Sequence, residues 1–133
     1  METRKNRSGT DLLIFGPGYT GERIARAAEA QGWLVARIVR DTFDQDLPPA
    51  THILSSVPPD EAGDPVLRRH GTALAAAGAW LGYLSSTGVY GDTGGAWVDE
   101  SAAIGQGRRG VRAAADAAWL DLGAHVFRLP GIY

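Results

Sequence analysis

The chain has 133 residues, a formal net charge of −2 at pH 7 and no cysteine. A domain of this length buries enough apolar surface to fold without a metal or disulfide, and the lack of cysteine excludes a disulfide framework, a Cys-ligated zinc site and a thiol nucleophile. The slight acidity gives no general attraction to nucleic acid, and no apolar run approaches the ~20 residues that span a bilayer, so we expect a soluble, cytoplasmic protein.

Residues 1–10 form a polar, locally basic stretch without the apolar core of a signal peptide. We expect a mobile tail there, with a short nucleic-acid-binding arm as the alternative. Residues 11–133 are expected to form a single domain.

The glycine pattern after the first apolar run carries the main functional signal. A predicted strand over 11–15 leads into Gly16-Pro-Gly-Tyr-Thr-Gly21, and a helix is predicted over 18–31. In a dinucleotide-binding crevice, Gly16 would permit the tight turn, Gly18 would leave backbone amides open to a diphosphate, and Gly21 would let the helix lie close to the strand. The helix dipole favours negative charge at its first turn. A strand-to-helix turn with a purely structural role is the alternative.

The rest of the chain alternates strands with helices or loops. Further strands are predicted over 33–39, 52–57, 80–86 and 124–129, with one helix from Asp64-Pro65 to Gly78 and another over 107–122. The strands are almost continuously apolar, which is typical of strands covered on both faces. Right-handed crossovers then predict a doubly wound, Rossmann-like α/β fold whose parallel sheet has about five strands in the order 2-1-3-4-5.

Ligands of such a sheet bind beyond the carboxyl ends of the strands. Arg40 and Asp41 follow the second strand, where an arginine would accept a ribose 2′-phosphate and an acid would hold a 2′-hydroxyl. Arg37 adds positive charge, which favours NADP over NAD. The connection over 40–51 leaves little room for a helical crossover and is predicted to be a loop or one distorted turn. Its aspartates lack the spacing of a calcium loop, so no metal site is predicted.

The turn after the third strand is rich in serine and proline. Ser55, Ser56, Val57 and Pro58 occupy the end of this strand and the start of the turn. We expect this turn to wall the cofactor crevice, because it leaves the sheet at the same edge as the glycine loop. The alternative is that the prolines only end the strand.

The segment after the fourth strand is long, polar and rich in glycine, in a place where α/β domains keep reactive groups. It reads Leu84-Ser-Ser-Thr-Gly-Val-Tyr-Gly91 and continues to Trp-Val-Asp-Glu100. Together with the glycine loop and Arg128-Leu-Pro-Gly-Ile-Tyr133, it resembles the NAD-dependent epimerase/dehydratase family, the extended and atypical short-chain dehydrogenase/reductases. This resemblance spans nearly the whole chain. It implies an NAD or NADP cofactor, hydride transfer, and a Ser86 hydroxyl that orients the carbonyl or alcohol of the substrate.

The chain also departs from the pattern of that family. The family's proton donor is the tyrosine of a Tyr-x-x-x-Lys pair at the start of the next helix, where this chain has Arg108 and Arg112. Arginine cannot act as a general acid near neutral pH, so Tyr90 is the candidate proton donor. Arg112 could take the lysine's role at the ribose or phosphate, with a solvated helix arginine as the alternative. Relatives continue beyond the position of Tyr133 into a substrate-binding lobe, so we expect this chain to match the nucleotide-binding half.

The sequence thus predicts two sets of site residues. The catalytic set is Ser86, Tyr90 and Arg112. The cofactor-binding set is Gly16, Gly18, Tyr19, Thr20, Gly21, Arg40, Asp41, Ser55, Ser56, Val57 and Pro58. The predicted partners are the dinucleotide and a small-molecule substrate, and the alanine-rich second and third helices either pair across a homodimer or form the outer layer of a monomer.

Two functions of different classes agree with these features. The first is an NAD(P)-dependent oxidoreductase or nucleotide-sugar epimerase/dehydratase-like enzyme that moves a hydride to or from a carbonyl or alcohol carbon. The alternative is an NAD(P)-binding module without turnover, because the Tyr-x-x-x-Lys pair and the substrate lobe are missing. A phosphorelay receiver of the same topology is disfavoured, since the third strand ends in Ser55-Ser56 rather than an aspartate.

Overall fold

The computed structural model describes residues 9–90, 94, 96–102 and 110–130, and within them the chain forms one parallel sheet flanked by helices. The strands are β1 (Thr10–Phe15), β2 (Val35–Ile38), β3 (Ala50–Ser55), β4 (Trp80–Ser86) and β5 (His125–Leu129). The α-helices are α1 (Gly18–Ala30), α2 (Pro65–Ala76) and α3 (Gly110–Asp121). The order of the strands is β2-β1-β3-β4-β5, which confirms the predicted Rossmann-like fold and sheet order.

The two faces of the sheet carry two separate cores. On one face, α1 packs through Ala25 onto a cluster that contains Leu12, Ile14 and Leu54. On the other face, α2 and α3 cover Leu13, Phe15, Ile53, Leu81 and Tyr83. Alternate residues of one strand therefore serve different cores, as expected for a period of two along a strand. This explains why β1 is apolar at every position from Leu12 to Phe15.

Helix starts and ion pairs follow local sequence signals. The Asp64 carboxylate accepts a hydrogen bond from the Leu67 amide at 3.0 Å, and Pro65 occupies the first helical position of α2. Glu22 and Arg26, one turn apart in α1, form an ion pair at 3.1 Å. Both contacts need only residues within one turn of each other, so the local sequence is enough to specify them.

The strand boundaries differ from the prediction by at most two residues, and β4 has the predicted bounds. Strand β2 begins two residues later than predicted, because the Leu34 amide donates to the Asp11 carboxylate at 2.8 Å and its carbonyl accepts from the Asp11 and Leu12 amides. Strand β3 begins two residues earlier, where Ala50 pairs with Thr10 of β1. The connection over 40–51 contains one 3₁₀ turn, Arg40–Thr42, which confirms the prediction of a distorted turn.

Some predicted features lie outside the described residues. Residues 1–8 of the predicted tail, residues 107–109 of the third predicted helix, and Arg108 belong to this group. Among the described helices, none is both long and apolar enough to cross a membrane. The described residues also bring no three His, Asp or Glu side chains together in a group that could hold a metal ion.

Candidate functional site

The loop between β1 and α1 has a backbone conformation that favours glycine. Gly16 and Gly18 have φ values of +52° and +56°, where other residues are strained. A Cβ atom on Gly16 would lie 2.7 Å from Cγ2 of Val57, so this turn has no room for a side chain. The Gly16 amide donates to the Ile38 carbonyl at 2.9 Å, which ties the loop to the end of β2.

Gly18 and Gly21 differ from each other in their surroundings. A Cβ atom on Gly18 would meet no atom of the described residues within 4 Å, whereas one on Gly21 would lie 3.2 Å from Ile14 Cδ1 and 3.3 Å from Pro17 Cβ. Gly21 therefore allows close packing of α1 on β1, while Gly18 leaves the space in front of the helix open. These are the two geometries that a dinucleotide fingerprint requires at these positions.

The start of α1 has no acidic or capping side chain that would compete with an anion. Its N-cap residue is Pro17, which makes no side-chain cap, and the first turn contains no acidic residue. The first amides of a helix have no partner within the helix and lie at the positive end of its dipole. Tyr19, the second residue of α1, is 66% exposed, and the Arg23 guanidinium lies 5.1 Å from the centre of its ring.

A cavity of about 780 Å³ lies beside this loop. Its lining combines the glycine loop, the end of β2, the 3₁₀ turn and the proline turn after β3. The lining residues are Gly16, Pro17, Gly18, Ile38, Val39, Arg40, Phe43, Asp44, Val57, Pro58 and Pro65. Asp41, a predicted cofactor residue, is exposed in the 3₁₀ turn but does not line this cavity. The carboxylate that lines the cavity is that of Asp44.

The arginines near this cavity differ in their partners. Arg37 is held by two carboxylates, Glu22 at 2.9 Å and Glu29 at 3.0 Å. Hydrogen bonds from Arg37 hold the pKa values of both carboxyl groups below their usual range. The expectation that Arg37 adds free positive charge for a 2′-phosphate is therefore wrong, because its charge is already neutralised. Of the described residues, none forms an ion pair with Arg40.

A second cavity of about 290 Å³ lies at the carboxyl ends of β3, β4 and β5. It brings together residues from five segments that are distant in sequence: Thr20, Ser56, Pro58, Leu84, Ser85, Ser86, Arg112, Leu129 and Pro130. Two predicted catalytic residues, Ser86 and Arg112, thus line one cavity. Pro58 borders both cavities, so they adjoin at the turn after β3 and form one crevice along this edge of the sheet.

The serines at this edge have different surroundings. The Ser86 hydroxyl lines the second cavity and accepts a hydrogen bond from the Gly88 amide at 3.0 Å, which fixes its orientation. Ser55 is completely buried and its hydroxyl accepts from the Val57 amide at 3.2 Å. Ser55 therefore shapes the proline turn from behind, and Ser56 is the serine of this pair that borders the crevice.

Tyr90 does not line the cavity that holds Ser86. It ends a 3₁₀ turn, Thr87–Tyr90, is 8% exposed, and its hydroxyl accepts a hydrogen bond from Arg128 Nη1 at 3.2 Å. Tyr90 and Arg128 line a different cavity, of about 940 Å³, beside β5. The role of Tyr90 as proton donor stays a prediction.

Two charged residues beside the site were not predicted from the sequence. Asp116 is fully buried in α3, and Arg128 in β5 binds it with two hydrogen bonds, of 2.7 and 2.9 Å. We call Ser85, Tyr90, Asp116 and Arg128 the Arg128 corner. One signal is available in the sequence, because Asp116 lies between Ala113 and Trp119 on the apolar side of its helix, where an acid needs a partner.

Solved structures of other proteins are similar to this chain, among them the following two. A functionally unknown conserved protein from Silicibacter pomeroyi is 39% identical with a TM-score of 0.80, over 93% of this chain and 53% of that chain. A "putative NAD-dependent epimerase/dehydratase" from Methylobacillus flagellatus is 23% identical with a TM-score of 0.73, over 93% of this chain and 55% of that chain. At that identity the second similarity shows the fold alone.

The chain spans about half the length of both similar structures. No protein-family model and no curated protein matches the sequence. The function is therefore inferred from the residues of the crevice.

Proposed function

We propose that this domain binds a nicotinamide dinucleotide in the crevice formed by the two cavities. The observation that carries this proposal is the open space in front of Gly18, at a helix start without a competing acid or capping side chain. A diphosphate needs backbone donors that no side chain obstructs, and a Cβ atom at this position would enter its space.

The distribution of positive charge supports the same ligand. Arg40 lines the larger cavity and Arg112 the smaller one, and no described residue forms an ion pair or a cation–π contact with either. The other arginines in the described part of the chain all have such a partner. When each end of a crevice has a guanidinium group without a carboxylate partner, the crevice favours a ligand with separated negative charges.

We assign the larger cavity to the adenosine end of the dinucleotide and the smaller one to the nicotinamide end. Arg40 is the candidate donor to a 2′-phosphate, which favours NADP, whereas Asp41 and Asp44 supply carboxylates for the 2′-hydroxyl of NAD. We favour NADP, because Arg40 borders the cavity and Asp41 does not.

The proposed reaction is hydride transfer to or from a carbonyl or alcohol carbon. The nicotinamide ring, when bound, supplies or accepts the hydride. In the reduction direction, the Ser86 hydroxyl donates a hydrogen bond to the carbonyl oxygen, and that oxygen takes a proton from water as the alcohol forms, since Tyr90 does not line this cavity. Arg112 holds the ribose or a phosphate oxygen at the same end.

The glycine loop is tested with two matched substitutions, Gly18→Ala and Gly78→Ala. Both glycines have positive φ, of +56° and +65°, and a Cβ atom on either would meet nothing within 4 Å, but Gly78 follows α2 at the opposite edge of the sheet. The backbone strain is therefore similar, about 1–2 kcal/mol. Calorimetric titration with NADPH and NADH should show at least about tenfold weaker binding for Gly18→Ala and wild-type affinity for Gly78→Ala.

Equal affinities of the two variants would contradict the assignment of the diphosphate to Gly18. A wild-type protein that binds neither nucleotide would contradict the proposed function altogether.

Turnover is tested separately from binding. The wild-type protein is mixed with NADPH and a panel of aldehydes and ketones, and loss of the reduced cofactor is followed by its absorbance. Ser86→Ala should lower the rate by about 10²-fold or more while the affinity for NADPH stays within about twofold. If no carbonyl is reduced although NADPH binds, the domain is a nucleotide-binding module without turnover.

A further inference from the structure

A buried ion pair joins the segments behind the smaller cavity. Asp116 in α3 is fully buried, and the Arg128 side chain is 11% exposed. Arg128 Nη2 donates to Asp116 Oδ1 at 2.7 Å and Arg128 Nε donates to Oδ2 at 2.9 Å. Hydrogen bonding to Asp116 raises the pKa of Arg128, so the guanidinium stays charged. Bidentate geometry fixes the relative orientation of β5 and α3.

The remaining bonds of this pair reach the segment that carries Ser86. The Ser85 hydroxyl donates to Asp116 Oδ2 at 2.7 Å. Arg128 Nη1 donates to the Tyr90 hydroxyl and to the Glu100 carbonyl, each at 3.2 Å. The Arg128 guanidinium also lies 5.3 Å from the centre of the Tyr90 ring. Segment 85–90 is thus held at both ends by one ion pair.

The same pair is connected to Arg112. Arg112 and Asp116 are four residues apart in α3, so they lie on the same side of the helix, one turn from each other. Any shift of α3 at Asp116 would move Arg112 relative to β4. Ser86 and Arg112 therefore depend on the same buried contact for their separation across the cavity.

We propose that the Arg128–Asp116 pair is a positioning element, which holds Ser86 and Arg112 in register for the nicotinamide end of the ligand. This inference rests on the proposed function and adds residues to that site. A buried ion pair can often be replaced by apolar residues without loss of the fold, so a role in positioning is separable from a role in folding.

The test compares two ligands on three proteins by calorimetry. NADPH occupies both ends of the crevice, whereas adenosine 2′,5′-bisphosphate has no nicotinamide and reaches only the Arg40 end. The proteins are the wild type, the double variant Arg128→Met/Asp116→Leu, and the control Arg68→Met/Asp60→Leu, which removes an exposed ion pair of 3.0 Å that borders neither cavity.

The expected result is a selective loss. The double variant should bind the bisphosphate like the wild type and NADPH about tenfold more weakly, because contacts of the nicotinamide end are lost. Hydrogen exchange without ligand should be about tenfold faster over residues 86–90 and unchanged over 16–21. The control should match the wild type in all measurements.

Three outcomes would overturn a proposal. Unchanged NADPH affinity in the double variant overturns the positioning role and leaves the proposed function standing. Equal loss for NADPH and the bisphosphate also overturns it, because a general structural defect would act on both ends. A wild-type protein that binds neither ligand overturns the proposed function, and the inference with it.

If the double variant does not fold, Arg128→Lys replaces it in both measurements. An ammonium group keeps the charge, but it lacks the planar fork that reaches both Asp116 oxygens and Tyr90 at once. The same selective loss of NADPH affinity is expected, and wild-type affinity would overturn the inference.

Discussion

The crevice and the Arg128 corner lie side by side at the carboxyl edge of the sheet, but they differ in whether their charged side chains have partners. In the crevice, Arg40 and Arg112 have no ion-pair partner among the described residues, and the first amides of α1 have no side-chain cap. In the corner, Arg128 donates to Asp116, to Tyr90 and to a carbonyl. Among the described residues, no buried side-chain polar atom lacks a partner.

This difference separates binding surfaces from supporting structure. A buried charge without a partner is costly, so the charges of the corner are paired with each other in the folded chain. The crevice is open to solvent, so water can hydrogen-bond its donors when no ligand is bound, and the cost of a buried group without a partner does not arise. Charge alone therefore does not identify the site, since the chain places arginines in both regions.

The largest expected effect comes from unpairing the corner. Asp116→Leu alone leaves the Arg128 guanidinium buried without its carboxylate and should lower the free energy of unfolding by about 3–5 kcal/mol. The double variant Arg128→Met/Asp116→Leu should lie within about 1 kcal/mol of the wild type, because no buried charge is left. Urea unfolding of both variants measures the free energy of unfolding and thus the energetic coupling between Arg128 and Asp116. A single variant no less stable than the double would show that the pair is not energetically coupled.

The next effect compares Arg40, which has no ion-pair partner among the described residues, with Arg37, whose charge is neutralised. Arg40→Ala should weaken NADPH binding by roughly 1.5–3 kcal/mol and leave NADH binding unchanged, if Arg40 binds the 2′-phosphate. Arg37→Ala is the matched control, because Glu22 and Glu29 already occupy that guanidinium. Titrations with both nucleotides provide the measurement. Equal losses for NADPH and NADH in Arg40→Ala would refute the assignment of the 2′-phosphate.

The smallest expected effect is a pH dependence of stability that comes from Tyr83, in the core next to the corner. Tyr83 is 1% exposed, and burial raises its pKa from 10.0 to about 12, with Asp64 and Asp116 adding to the effect. Folding therefore favours the neutral phenol. Its contribution to stability is complete below pH 10 and is lost as the pH rises through 12. Relative to Tyr83→Phe, the wild type should lose about 2 kcal/mol over this range.

Urea unfolding at several pH values between 9 and 12 checks this difference, with Tyr19→Phe as a control at an exposed tyrosine. A constant difference in stability between Tyr83→Phe and the wild type would contradict the assignment of the raised pKa to Tyr83.

The parts of the site that could be predicted are those fixed by contacts along the chain. The turn at Gly16, the open position at Gly18 and the cap at Asp64 each depend on a few consecutive residues. The parts that could not be predicted depend on distant partners. The sequence did not reveal that Glu22 and Glu29 neutralise Arg37, because these carboxylates lie in α1, 15 and 8 residues away along the chain.

Tyr90 shows the same limit at the catalytic end. The motif places it four residues after Ser86, but the 3₁₀ turn directs its hydroxyl to Arg128, 38 residues away along the chain, rather than into the cavity of Ser86. Arg112 shows the reverse case, since α3 brings it to the cavity of Ser86 from a separate segment.

The sequence by itself determined the alternation of strands and helices, the order of the sheet and the glycine loop, because hydrophobic period, helix capping and crossover handedness act locally. Only the tertiary structure decided which arginines are free and which are paired. The physical reason is that a side-chain charge interacts through space, with carboxylates that the fold brings near from any position in the chain. The candidate site is therefore defined by arginines that have no ion-pair partner among the described residues as much as by its motif.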